Sequence, residues 1–475
     1  MKPNKILIVV LFISMFTIVI HSCKKEEPVT EPIPTTTPTN TLPPGTSYIE
    51  PSTQRNNGDA SLGESFIKTG NFAFAGIPKP QFPYSSSTNE LNRTGFNATI
   101  PYNYTEVTAF NGVQVVAPNC LTCHASYLGN QFILGLGNSL EDFTTDVSGN
   151  ISLIDNYISQ SYGGTQSPEY QAYEPFSTGM KALGPNTITK TRGVNPANKY
   201  AYILAAHRNN QDLVWQQTPS VTMVPDVVPS DIPAWWLMKK KNALYYNANG
   251  AGDFSKAIMA STLLTVKDTS YARIVDNHFV NVLAYLKTIE PPVYTETINS
   301  TLAEEGKLIF TANCSKCHGT YGTTETYPNL LVDLATIQTD DLLVNAQMAS
   351  DFFTTWYNQS WFGTGANPGR ITPKNGYIAP PLDGVWATAP YLHNGSVPDL
   401  NTLLKSSTRP AYWTRSFTAT DYNYTNVGWN YTALNSPTST CYNTDLLGYS
   451  NSGHTFGDHL SDNDRMKLIE YLKTL

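Results

Sequence analysis

Cys314-Ser315-Lys316-Cys317-His318-Gly319 decides how this chain is read. Two thiols stand three positions apart, and a histidine follows the second directly. That spacing suits covalent attachment of c-type haem. Each cysteine can add to one vinyl group of the porphyrin, and the histidine then lies beneath the ring and offers a nitrogen to the iron. A second copy, Cys120-Leu121-Thr122-Cys123-His124, stands well upstream. A structural zinc site would pair one such CxxC with another, or with spaced histidines, within about twenty residues. These motifs are far apart and each has its own histidine, which disfavours zinc. Nothing around either motif reads as a βαβ unit, which disfavours a thioredoxin-like dithiol.

The chain has 475 residues, enough for two or three domains, and a formal charge of −7. Its one short basic run is Lys239-Lys240-Lys241, so nucleic acid is not an expected partner. Of the six cysteines, four lie in the motifs. Cys441 reads as a buried, unpaired thiol.

The N-terminus has Lys2 and Lys5, an apolar run from Ile6 to Ile20, and then His21-Ser22-Cys23. This pattern describes a secretory signal over residues 1–22. The run is short for a membrane span. Residues 23–55 are charged at first and then rich in Thr and Pro, a composition that reads as a disordered tether. Export fits haem c, which is attached outside the bacterial cytoplasm.

The expected fold is mainly α. It comprises two tandem cytochrome c-like haem domains, 56–293 and 294–475, with long irregular loops and a few short β-hairpins. In the first domain, Glu106–Phe110 pairs with the run from Val113 to Val116 across Asn111-Gly112, a strong hairpin signal. Gly129, Gly135 and Gly137 either make turns or let the backbone pass close to a flat cofactor. The stretch 150–228 reads as mostly loop. Pro233-Ala234-Trp235-Trp236 is either core or an aromatic bridge between cofactors. Phe254 is a candidate for a distal pocket. In the second domain, Thr301 and Glu304 fit a capping box, and Ser461 caps the last helix. Tyr285-Leu286-Lys287-Thr288 recurs as Tyr471-Leu472-Lys473-Thr474, at nearly the same distance from its haem motif. This internal repeat argues for two related domains.

Thr388-Ala389-Pro390-Tyr391-Leu392-His393-Asn394-Gly395-Ser396 closely resembles a segment of the dihaem cytochrome c peroxidase superfamily. The Trp pair, Tyr422–Trp429 and Gly453-His454-Thr455-Phe456-Gly457 resemble its branch of bacterial rubber (latex-cleaving) oxygenases. The resemblance implies His124 and His318 as proximal ligands, and an open distal side on the first haem. It implies His454 as distal ligand of the second haem and a tryptophan, Trp235 or Trp236, between the haems. It also implies calcium held partly by the carbonyls of Thr388 and Pro390. Cys23 resembles the lipidated residue of bacterial lipoproteins, which implies a membrane anchor and a cell-envelope location. On ligand chemistry alone, Met348, His393, His454 and His459 compete for the second iron. His454 ranks first, then Met348, with His393 a supporting residue at the domain junction.

These readings converge on an exported dihaem oxidoreductase. One haem relays electrons to or from a small redox partner, and an open haem acts on peroxide or dioxygen. The rival is a non-catalytic dihaem electron-transfer protein.

Overall fold

The computed structural model describes residues 42–83, 88–223, 226–349 and 351–475. The signal, Cys23 and the first part of the tether lie outside them.

Two helix pairs frame the structure. Ala60–Thr69 packs on Thr269–Leu286, and Ser300–Asn313 packs on Asp462–Leu472. Each haem motif falls between the members of one pair in sequence. Both crossings depend on a glycine in the first helix. A Cβ on Gly63 would lie 2.0 Å from the Asn281 carbonyl oxygen and 2.9 Å from the Tyr285 Cβ. A Cβ on Gly306 would lie 1.9 Å from the Lys467 carbonyl oxygen and 3.0 Å from the Tyr471 Cβ. The repeated tyrosine therefore marks the same crossing twice. Gly306→Ala is expected to destabilise the fold by about 2–3 kcal/mol, because the backbone must part to admit a methyl. Gly149 lies in the helix Ser148–Ser161, and a Cβ there meets nothing within 4 Å. Gly149→Ala should gain about 0.5–1 kcal/mol from helix propensity alone. Denaturant midpoints of the two variants should move in opposite directions.

The architecture is mixed rather than mainly α. Six small sheets of two or three strands lie between the helices among the described residues. The short strands belong to polar, turn-rich segments, where β-branched and aromatic residues pair locally. The expected hairpin forms, with Tyr104–Thr108 against Gln114–Pro118 and Thr108 opposite Gln114. Order begins before residue 55. Thr46–Tyr48 pairs with Leu330–Asp333, which also carries Gly376–Ile378. The stretch 150–228 is not mostly loop, since it holds the helices Ser148–Ser161, Pro168–Leu183 and Ala197–Ala206. Ser167 caps the second with Pro168 at its first position. Its buried face, Ala172, Tyr173, Phe176 and Gly179, is too diluted by polar residues to stand out in sequence. The 300–313 helix is capped by Asn299, whose side chain accepts from the Leu302 N–H, and not by Thr301.

Residues 42–475 form one compact unit containing two large cores. Trp235 belongs to the first core and Trp236 to the second. Cys120 borders the first and Cys314 the second.

Candidate haem-binding sites

The first motif hangs from the hairpin. Asn119 follows the strand Gln114–Pro118, and its side-chain oxygen accepts from the Leu121 N–H at 2.9 Å. That contact starts the short helix Leu121–His124. Asn138 then accepts nothing from the motif but donates to it twice, from its backbone N–H to the Cys123 carbonyl at 2.9 Å and from its amide to the Thr122 carbonyl at 3.0 Å. Burial pushes the Cys120 thiol up to about 11 and Cys123 up to about 12, so both stay protonated. The His124 ring stacks on Trp235, with centroids 4.7 Å apart and planes 20° from parallel. Its Nδ1 is buried without a hydrogen-bond partner.

Gly135 joins these parts. Its N–H donates to the His124 carbonyl at 2.8 Å, and its own carbonyl accepts from the Trp235 N–H at 2.8 Å. With φ at +90°, its missing side chain leaves room for the Trp235 Cβ, and Gly137 leaves room for the Ile232 carbonyl. These glycines serve close backbone packing of the Trp segment.

The second motif begins where the helix Ser300–Asn313 ends. His318 Nδ1 lies 2.8 Å from the Pro380 carbonyl, which fixes the ring and leaves Nε2 as the free ligand atom. Gly319 has φ at +84°, and a Cβ there would meet the Thr326 carbonyl at 2.0 Å. The His454 ring faces His318, with centroids 6.3 Å apart. Two imidazoles bound to one metal ion through nitrogens about 2 Å away would have centroids about 6 Å apart. The pair therefore fits six-coordinate iron. Burial lowers His318 and holds His454 at about 3, so both imidazoles stay neutral and able to ligate.

Arg409 positions His454, a role that no motif or spacing announces. Its guanidinium donates to the carbonyls of Leu403 (2.9 Å), Asn451 (2.6 Å), Gly453 (2.7 Å) and His454 (3.0 Å). His454 itself takes φ of 47°, and its N–H donates to the Ile337 carbonyl at 2.8 Å.

The other described histidines are engaged elsewhere. His207 stacks on Trp215, His278 stacks on Phe66, and His459 meets Asn313. His393 stacks on Tyr377, and its Nε2 lies 3.1 Å from the Tyr377 hydroxyl, which also donates to the Asp340 carbonyl. Met348 is 53% exposed. Phe254 is a core residue at the start of the helix Phe254–Ile258, with no ring contact to His124 among the described residues.

Trp236 is fully buried, and its indole N–H donates to the Asp383 carbonyl at 2.8 Å. Asp383 lies three residues beyond Pro380, the partner of His318. The adjacent tryptophans thus reach from one motif histidine to the segment holding the other. Thr388 and Pro390 flank Ala389 after a short helical turn. Among the described residues no three His, Cys, Asp or Glu side chains converge as a metal-binding group. Cys441 is buried and unpaired, as expected.

Asp231 lies just ahead of the tryptophans. Its N–H donates to the His393 carbonyl at 2.7 Å, and its carboxylate accepts from the Tyr246 hydroxyl at 2.6 Å. Burial raises its pKa from 3.8 to about 7. Between those values the folded protein holds a proton that the unfolded chain has released. Stability should therefore fall as pH rises from about 4 to about 7 and level off above. Asp231→Asn should flatten that slope in chemical denaturation measured across the window.

Residues 376–414 match the family model described as RoxA-like, cytochrome c-like. A cytochrome c-like region implies haem c. The match includes Pro380 and His393 but neither CxxCH motif. The chain is also 26% identical over 360 residues to the uncharacterized protein y4iM of Sinorhizobium fredii, covering 66% of this chain and 80% of the relative. It is 37% identical over 110 residues to the uncharacterized protein y4iJ of the same organism, covering 21% of this chain and 18% of the relative. Over residues 376–414 the chain is thus similar to RoxA-like, cytochrome c-like proteins.

Proposed function

We propose that this protein is an exported dihaem c-type oxidoreductase of the peroxidase or rubber-oxygenase kind, with two haems in unequal roles. The observation that carries this reading is the imbalance of histidines. His318 faces His454, whereas His124 faces tryptophan. Haem c, when bound, supplies one-electron chemistry and, at an open axial position, binding of peroxide or dioxygen. Cys120 and Cys123 would hold the first group, and Cys314 and Cys317 the second. His318 and His454 would saturate the second iron and suit it to electron relay. His124 would ligate the first iron and leave its far side to the substrate. Trp235 and Trp236 would carry electrons between them. Their burial excludes water from that path.

Lipidation at Cys23, a cell-envelope location and calcium at the Thr388 and Pro390 carbonyls belong to the same proposal. The oxidised protein should show one low-spin and one high-spin haem, and cyanide, or carbon monoxide after reduction with dithionite, should bind only one of the two. Two low-spin haems that take up neither ligand would identify a pure electron carrier.

A further inference from the structure

We propose that Trp386 and Tyr424 form a side branch that carries oxidising equivalents from the tryptophan pair to the surface, and that Tyr424 is an oxidation site for phenols too large to reach a buried haem. The inference rests on the two-haem reading, with peroxide as the oxidant.

The branch starts at Trp236. Its indole N–H donates to the Asp383 carbonyl at 2.8 Å, and a Cβ on Gly384 would lie 3.1 Å from its Nε1. Two residues on, in the turn Val385–Ala387, stands the buried Trp386, whose own indole N–H donates to the Pro292 carbonyl at 3.0 Å. Two phenols flank it. The Tyr294 ring centroid lies 5.2 Å from Trp386 and that of Tyr424 lies 6.3 Å from it, with 5.9 Å between the two tyrosines. Tyr422 stands 5.1 Å beyond Tyr424. These are separations of touching aromatic rings. Indole and phenol are among the most readily oxidised side chains, and rings in contact pass an electron in short steps.

Of the three tyrosines, Tyr424 suits the end of the branch. A phenol that gives up an electron also releases its proton. The Tyr294 hydroxyl donates to the Tyr424 carbonyl at 2.7 Å, and the Tyr422 hydroxyl donates to the Trp386 carbonyl. Both side chains are buried, and a backbone carbonyl in a dry core is a poor home for a proton. The Lys473 ammonium, 5.4 Å from the Tyr294 ring centroid, further disfavours positive charge there. Tyr424 is only half-buried. Its hydroxyl stands over Gly129, where a Cβ would come within 2.8 Å of it. Gly129 begins the turn between Ala125–Leu128 and Gln131–Leu134, beside the exposed Asn130. The missing side chain thus leaves Tyr424 its place at the rim of the hairpin that follows the first haem motif.

The electrons balance. Peroxide takes up two electrons and two protons and becomes two waters. Two phenol molecules supply them, each giving one electron to Tyr424 and one proton to solvent and leaving as a phenoxyl radical. Each electron returns through Trp386 and the tryptophan pair.

The test uses purified holoprotein, hydrogen peroxide and a nitroso spin trap, with the trapped radical located by peptide mass mapping. Tyr157, 58% exposed on the helix Ser148–Ser161, reports labelling by exposure alone. The adduct is expected on Tyr424 and not on Tyr157. Trp386→Phe should lower the Tyr424 adduct about tenfold while both haems stay attached by intact mass. Tyr424→Phe should abolish it and slow peroxide-dependent oxidation of a polymer-bound phenol. Label on Tyr157 as strong as on Tyr424, or a Tyr424 adduct unaltered in Trp386→Phe, would overturn the branch. A Soret band that responds to peroxide with no adduct on Tyr424 overturns the branch alone. A two-haem protein whose Soret band ignores peroxide overturns the open-haem reading and the branch with it.

Discussion

Replacing His454 with Ala is expected to convert half of the haem from low spin to high spin. The residue sits with its ring centroid 6.3 Å from that of His318, a separation suited to two imidazoles on one iron. Removing it leaves that iron one axial ligand, and no other described histidine is placed to substitute. Carbon monoxide binding by the reduced protein should rise from one to two equivalents. The backbone at 454 is held by Arg409 and by the Ile337 carbonyl, so the loop should persist without the ring. Arg409→Ala should give a partial version of the same spectrum, because it frees the Asn451, Gly453 and His454 carbonyls that hold the 451–454 segment. A wild-type spectrum in His454→Ala would remove it as a ligand.

Electron transfer between the two haems should slow when either tryptophan is replaced. Trp235 stacks on His124, and Trp236 is bonded to the Asp383 carbonyl in the segment that holds His318. Truncating Trp236 to Ala would open a large cavity, at a cost of about 3–5 kcal/mol, and would confuse packing with conduction. Phe is therefore the better substitution. Trp236→Phe should keep both haems attached while the inter-haem rate, read by stopped-flow or flash photolysis, drops about tenfold, equivalent to about 1.4 kcal/mol of barrier. Unchanged rates in both Trp235→Phe and Trp236→Phe would leave the pair with a packing role alone.

Much of this site is legible in the sequence because its chemistry is local. The CxxCH motifs place thiols and imidazole within five residues, and the Asn111-Gly112 turn fixes the hairpin that presents the first of them. The repeated Tyr-Leu-Lys-Thr endings foreshadow the paired helix crossings, although not the glycines at 63 and 306 that permit them. The supporting residues were not legible. Arg409 and Tyr377 each act through partners far away in the chain, and an isolated arginine or tyrosine carries no spacing to read. The helices between 148 and 206 were hidden for another reason. Their buried faces are interrupted by Ser, Asn, Gln and Tyr, so their apolar period is weak, and tertiary packing makes up what the pattern lacks. Asn299 displaced Thr301 as a cap because both types serve, and the choice depends on where the helix enters its crossing with Asp462–Leu472.

The most direct test is the intact mass of the denatured protein, produced by a host that matures c-type cytochromes in its envelope. The expected species is a polypeptide carrying two porphyrins that survive denaturation, one lost in Cys120→Ala/Cys123→Ala and the other in Cys314→Ala/Cys317→Ala. A mass with one porphyrin, or none, would contradict it.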